Sequence, residues 1–141
     1  MMADFNRDEG IPFRRTRVIP GLRRLLGEPR LGIVVVAESA DRSGLDGYAI
    51  GTFGFDLEFA GPDAFLTELF VREGSRGHGL GARLLDAVTS GLRDGGARAV
   101  TLLVRPENTA ARRLYAGAGF EELPRLAMLR RLSQPRRARS R

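Results

Sequence analysis

Apolar and polar positions follow two different periods along this chain, and each change of period marks an element. Leu31 to Ala37 is a continuous apolar run rich in β-branched residues, which predicts a strand covered on both faces. Tyr48 to Phe59 alternates in its first part and predicts a second strand, with Gly51 and Gly54 marking a bulge or a close approach. Ala60 to Asp63 then turns the chain into a strand from Phe65 to Val71. After a polar loop the period lengthens: Leu80, Leu84, Leu85, Val88 and Leu92 recur at helical spacing up to the stop Asp94-Gly95-Gly96. Ala99 to Val104 predicts another strand. Pro106 to Thr109 is a helix start, and Ala110, Ala111, Leu114, Tyr115 and Ala118 give the next helix an apolar face that ends at Gly117 to Gly119. Phe120 to Leu132 is expected to supply the final strands. At the other end, residues 1 to 16 read as irregular and lead into a short basic helix from about Pro20 to Gly27. Hairpin strands followed by β-α-β-α-β predict a mixed α/β sheet.

The richest local chemistry sits where the Phe65 to Val71 strand gives way to the Leu80 helix. The turn Arg76-Gly77-His78-Gly79-Leu80-Gly81 offers positive-φ backbone, close approach and the unpaired N–H groups of a helix start, a combination that suits phosphate. A P-loop is excluded, because Gly81 is followed by Ala82-Arg83 and the chain contains no lysine. Gly77-x-Gly79-x-x-Ala82 fits a dinucleotide fingerprint. That motif also needs a strand running straight into the turn and an acid about 20 residues on, where Val100-Thr101-Leu102 stands instead.

The third reading extends further. Leu69-x-Val71, Arg76-x-x-Gly79-x-Gly81 and Asn108-x-x-Ala111-x-x-Leu114-Tyr115-x-x-x-Gly119-Phe120, in that order, resemble the GNAT superfamily of acyl-CoA-dependent N-acetyltransferases over roughly residues 20 to 132. The resemblance implies an α/β fold of the α+β type. Its sheet is mixed, mostly antiparallel, twisted and splayed at the centre, with helices on both faces and the family's first strand and first helix missing. It implies acetyl transfer from acetyl-CoA to a primary amine of a small molecule or protein by direct attack on the thioester, without a metal.

It also implies roles for particular residues. Gly77, Gly79 and Gly81 would hold the pyrophosphate through backbone amides, with Arg76 adding charge, His78 within the turn, and Leu80 and Ala82 starting the helix. Leu69, Phe70 and Val71 would lie along the pantetheine arm, with an N–H near Leu69 or Phe70 polarising the acyl carbonyl. Tyr115 stands at the family's tyrosine position as general acid for the leaving thiolate, and Asn108 and Ala111 would lie near pantetheine. By pattern alone, Tyr115 is an aromatic on an apolar helix face and Asn108 an ordinary N-cap. Where some members carry a glutamate on the strand before Asn108, this chain has Leu103. Glu68 is then the remaining candidate base, or else an acid facing solvent or an arginine.

Composition narrows the alternatives. There is no cysteine, which excludes disulfides and thiolate chemistry, and His78 is the only histidine. The net charge of +6 invites a nucleic-acid reading, but seven arginines and no acid fall between Arg125 and Arg141, so residues 1 to 124 carry −1. The basicity belongs to a tail, residues 133 to 141, expected to be disordered, and a nucleic-acid partner is disfavoured. No leader or membrane span is apparent, which makes a cytoplasmic protein the expectation. The domain plan is an irregular remnant at 1 to 19, the acetyltransferase-like domain at 20 to 132, and the tail. Two competing functions remain, an acyl-CoA-binding module without turnover and an arginine-tailed nucleic-acid-binding protein. With few apolar residues ahead of Pro20, the Leu31 to Ala37 strand is expected to be an exposed sheet edge that invites a homodimer.

Overall fold

The computed structural model describes residues 1 to 132. The arginine-rich tail, and the expectations attached to it, lie outside the described residues. Two helices come first, α1 (Met2–Asp8) and α2 (Arg15–Gly27), followed by β1 (Gly32–Glu38), β2 (Leu45–Asp56) and β3 (Gly61–Val71). The chain continues through α3 (Leu80–Asp94), the short β4 (Val100–Leu102) and α4 (Thr109–Gly117). The strands form one sheet in the order β1-β2-β3-β4, with antiparallel pairing except for the parallel β3–β4 step. Among the described residues β1 pairs only with β2, so it does stand at an edge.

Side-chain alternation sends each strand's residues to two cores. On one face Ala49, Ala64 and Leu66 pack beneath Leu84, Leu85, Val88 and Leu92 of α3, all essentially buried. On the other, Tyr48, Ile50 and Phe70 are covered by Met1, Met2 and Phe5 of the α1 region and by Leu22 and Leu25 of α2. Gly51 lets α3 sit this close: a Cβ there would fall 2.6 Å from a methyl carbon of Leu92. The period-3.6 stripe thus fixes which face of α3 is inward, and a glycine on the facing strand fixes its distance.

Three expectations about the chain are corrected. The first residues are helical rather than irregular, because Met2 and Phe5 project from one side of α1 into the Tyr48–Phe70 core. The basic helix begins at Arg15, five residues before Pro20, which lies inside it. A proline there forfeits the bond to the carbonyl of Thr16, but Val18, Leu22 and Leu25 repeat along one side of α2, and burial of the two leucines against the sheet offsets the loss. Finally, residues 120 to 132 form no strand. Pro124 removes a ladder donor, and the three-residue β4 offers little edge to pair with. Phe120 packs on the α3-side core and Arg125 makes two hydrogen bonds to Glu58, at 2.8 and 3.0 Å. Beyond them Leu126 and Met128 are 95% and 96% exposed.

Leu92, the last buried residue of the α3 seam, is fully buried. Replacing it with alanine should cost about 2–5 kcal/mol of unfolding free energy, measured by urea titration of the ligand-free protein.

Candidate active site

A single extra residue in β3 creates the geometry on which the site depends. Ile50 pairs with Glu68 while its neighbour Gly51 pairs with Leu66, leaving Thr67 as a bulge whose hydroxyl donates to the Ile50 carbonyl at 3.1 Å. The bulge reverses the alternation. Before it Ala64 and Leu66 face α3; after it Glu68 and Phe70 lie on the α1–α2 side, and Leu69 and Val71 on the α3 side. Pairing with β4 also stops here, at Leu66 opposite Leu102, although β3 continues to Val71. The last stretch of β3 is therefore one arm of a fork.

Backbone phase shows what points into the fork. The Arg72 N–H bonds to Asp46 on the β2 side, at 2.8 Å, so the alternate residues Val71 and Leu69 direct their N–H and C=O away from β2, towards the gap. The Val71 carbonyl accepts from Arg76 Nε at 2.8 Å. The Leu69 amide lies deeper in the same gap.

The glycine-rich turn stands at the open end of this fork. Gly77 and Gly79 have φ of +80° and +74°, with no protein atom within 4 Å of a built Cβ at the first and only an arginine nitrogen near the second. Backbone conformation rather than crowding demands glycine there. Gly79 is the N-cap of α3 and supplies no capping side chain, so the first amides of α3, from Leu80 through Ala82, lack a side-chain acceptor. Gly81 seats the helix start against Leu114 of α4, which lies 3.4 Å from its built Cβ. His78 is exposed, and its carbonyl accepts from Arg83.

Arg76 stacks over the Phe70 ring, 5.6 Å from its centroid, and pairs with Asp8 at 3.4 Å. On the other arm Arg105, just past β4, pairs with Glu9 at 3.4 Å and donates to the Asp8 carbonyl. Two consecutive acids at the end of α1 thus tie the two arms together. Sequence reading missed them, since Asp8 and Glu9 look like ordinary surface charge.

Glu68 forms no ion pair among the described residues. It is half-buried in a cleft between α2 and the sheet, where Oε2 accepts a 2.6 Å hydrogen bond from the Tyr48 hydroxyl. Burial raises its pKa above the usual value, and the Tyr48 bond partly opposes that rise. Tyr48 is itself pushed up by burial and by the carboxylate, so it stays a neutral donor. The residue was overlooked because it is a diagonal neighbour of Glu68 only in a register that includes the bulge.

Tyr115 lies half-buried on α4, edge-on to Phe120 at 5.9 Å, and its pKa is raised by burial and then by Glu9. Asn108 caps α4, its side-chain oxygen accepting from the Ala111 N–H at 3.2 Å. Leu103 is largely exposed just beyond β4. The cap, the tyrosine, the turn and the Leu69 amide come from the elements that border the fork, while Glu68 occupies the opposite face of β3.

The sheet thus opens as a fork beyond Leu66, with an anion-suited turn at its mouth. The sequence profile of the acetyltransferase (GNAT) family matches residues 1 to 120, and the chain belongs to that family. Among solved structures it is similar to an integron cassette protein from the mobile metagenome of Cole Harbour Salt Marsh, at 32% identity and a TM-score of 0.80, covering 95% of this chain and 82% of that one. A putative acetyltransferase from Arthrobacter sp. FB24 aligns at 32% identity and a TM-score of 0.75, over 93% and 85% of the two chains. N-alpha-acetyltransferase 40 of Saccharomyces cerevisiae is 40% identical in a 77-residue alignment that covers 48% of this chain and 26% of that protein. The chain thus spans about a quarter of that relative's length. No helix among the described residues is long and apolar enough to cross a membrane.

The raised pKa of Glu68 has a sign that can be measured. Below both the unfolded and folded values the carboxyl is protonated in each state and contributes nothing pH-dependent. As pH rises past the usual 4.5 of a glutamate, the unfolded chain gives up its proton before the folded one does, and folding stability falls. Glu68→Gln removes that loss. Its stability relative to wild type, followed by urea titration, should therefore shift in the variant's favour as pH climbs from below 4.5 towards neutrality.

Proposed function

We propose that this chain transfers an acetyl group from acetyl-CoA to a primary amine by direct attack. The observation that carries the reading is the Leu69 backbone facing a gap in the sheet whose mouth is the Gly77–Gly79 turn. An extended pantetheine arm would add to the exposed edge of β3 as a strand does, with pyrophosphate on the amides of the turn. The thioester carbonyl would then lie against the Leu69 N–H, a fixed dipole for the negative charge that develops on oxygen.

The acceptor approaches from the α1–α2 face. At neutral pH an alkyl amine arrives almost entirely as the ammonium ion, so a base must take one proton before attack. Glu68 is assigned that task, with Tyr48 holding its carboxylate in place. The free nitrogen attacks the acyl carbon and the C–S bond breaks. Tyr115 protonates the departing sulfur, and the nitrogen's second surplus proton restores Tyr115. One amide forms, CoA leaves as the thiol, and a proton is released overall.

A panel of primary amines with acetyl-CoA, scored by thiol release, tests the activity; CoA binding without release from any amine would leave only a binding module. Two variants test the assignments. Gly79→Val forces a β-branched residue to positive φ and puts a side chain where phosphate must approach, so CoA affinity by calorimetry should fall about tenfold or more in a variant that still unfolds cooperatively. Unchanged affinity would remove the turn from the cofactor site. Tyr115→Phe should lower kcat roughly a hundredfold while leaving CoA affinity unchanged, since the hydroxyl is needed when sulfur departs.

A further inference from the structure

The cleft that holds Glu68 does not end there. A cavity of about 210 Å³ beside Glu68 is lined by Arg17, Val18, Leu22, Ile50 and Thr52, among others. A second, of about 460 Å³, shares Gly21, Leu25 and Thr52 with it and continues to Leu31 and Phe53. Together they form one trough beneath α2, running along β2 from Ile50 to Phe53, a span of about 10 Å for three strand residues.

Two features of this trough have no structural reason of their own. Gly21 sits in the interior of α2, where glycine costs roughly 0.5–1 kcal/mol relative to alanine. Its φ is not positive, and a Cβ there would meet nothing within 4 Å. Neither backbone geometry nor packing calls for glycine, yet it lies where the two cavities join. Arg17 is the second. It lines the same cavity as Glu68, and none of the ion pairs among the described residues includes it. Glu68 is the only acid on either lining.

One small cavity therefore presents a carboxylate and a guanidinium that are not bonded to each other, and opens past a missing side chain into an extension lined by Leu25, Leu31 and Phe53, together with Thr52 and with Arg24, which is paired to Glu28. We propose that the acceptor is a free α-amino acid with an extended apolar side chain. Its amine meets Glu68, its carboxylate meets Arg17, and its side chain passes Gly21 towards Phe53. This rests on the reading of the Glu68 cleft as the acceptor side. A peptide amino terminus or a simple alkyl amine would leave Arg17 without its anion. The charge-assisted bonds at stake are worth about tenfold or more in affinity.

The test compares leucine with leucinamide, with 3-methylbutylamine, which is leucine without its carboxylate, and with a leucine-initiated peptide. The full chain is used, with calorimetric binding in the presence of CoA as one readout and thiol release from acetyl-CoA as the other. Leucine should bind, and be acetylated with kcat/KM, at least about tenfold better than the other three. Arg17→Gln should erase that preference through KM while leaving 3-methylbutylamine unaffected. Gly21→Leu, which fills the junction and favours the helix, should shift preference from leucine to alanine. Arg17-dependent leucine binding without turnover would uphold the ligand class and overturn the catalytic reading. Thiol release that is indifferent to the carboxylate, or insensitive to Arg17→Gln, would overturn the amino-acid assignment and leave acetyl transfer standing. Neither binding nor acetylation of leucine would also overturn it.

Discussion

One inserted residue in a central strand sets the relation between the two halves of this molecule. Without the bulge at Thr67, this sequence would keep one parity from Ala64 to Val71, and Glu68 would share the α3 face with Ala64 and Leu66. With it, the first half belongs to a closed parallel pair and the second half to an arm with one free edge. The hydroxyl bond from Thr67 to Ile50 holds the irregularity in place. The same shift carries Glu68 to the α2 face and points the Leu69 amide into the gap. A carboxylate on one face of the sheet and an amide N–H in the opening are thus placed by one local event; under the proposed function, a thioester lying in the opening is reached by an acceptor from the side opposite α3.

How much of this could be read from the sequence depended on whether the determining forces were local. The α3 stripe and its glycine boundaries are local, and the helix runs from Leu80 to Asp94 as its periodicity predicts. The Asn108 cap is local as well. The turn could be recognised because positive φ at Gly77 and Gly79 is a residue-level demand. Gly51 and Gly54 suggest a bulge or a close approach within β2; Leu92 packs closely onto Gly51, while the bulge opposite it belongs to β3 at Thr67.

What could not be read came from distant partners. Met2 and Phe5 form an inward-facing pair only once Tyr48 and Phe70 provide a surface to cover, so α1 looked irregular. The mid-helix Pro20 argued for a late start to α2, and only burial of Leu22 and Leu25 on the sheet overrides it. Tyr48 joins Glu68 through a register that the bulge decides. Residues 120 to 132 misled in the opposite sense, since their apolar character suggested strands while β4 provides only three residues of edge.

The two ion pairs that straddle the mouth of the fork differ in kind from the cores that hold the sheet between its helices. Asp8 with Arg76 and Glu9 with Arg105 are wet contacts at 3.4 Å, whereas the cores on both faces of the sheet are apolar. Mobile ions weaken exposed pairs on the scale of a Debye length, about 8 Å at physiological ionic strength, and leave buried apolar contacts intact. The width of the opening is consequently governed by the electrolyte and the body by hydrophobic burial. Added salt loosens the entrance to the gap while the scaffold that presents it stays as it was.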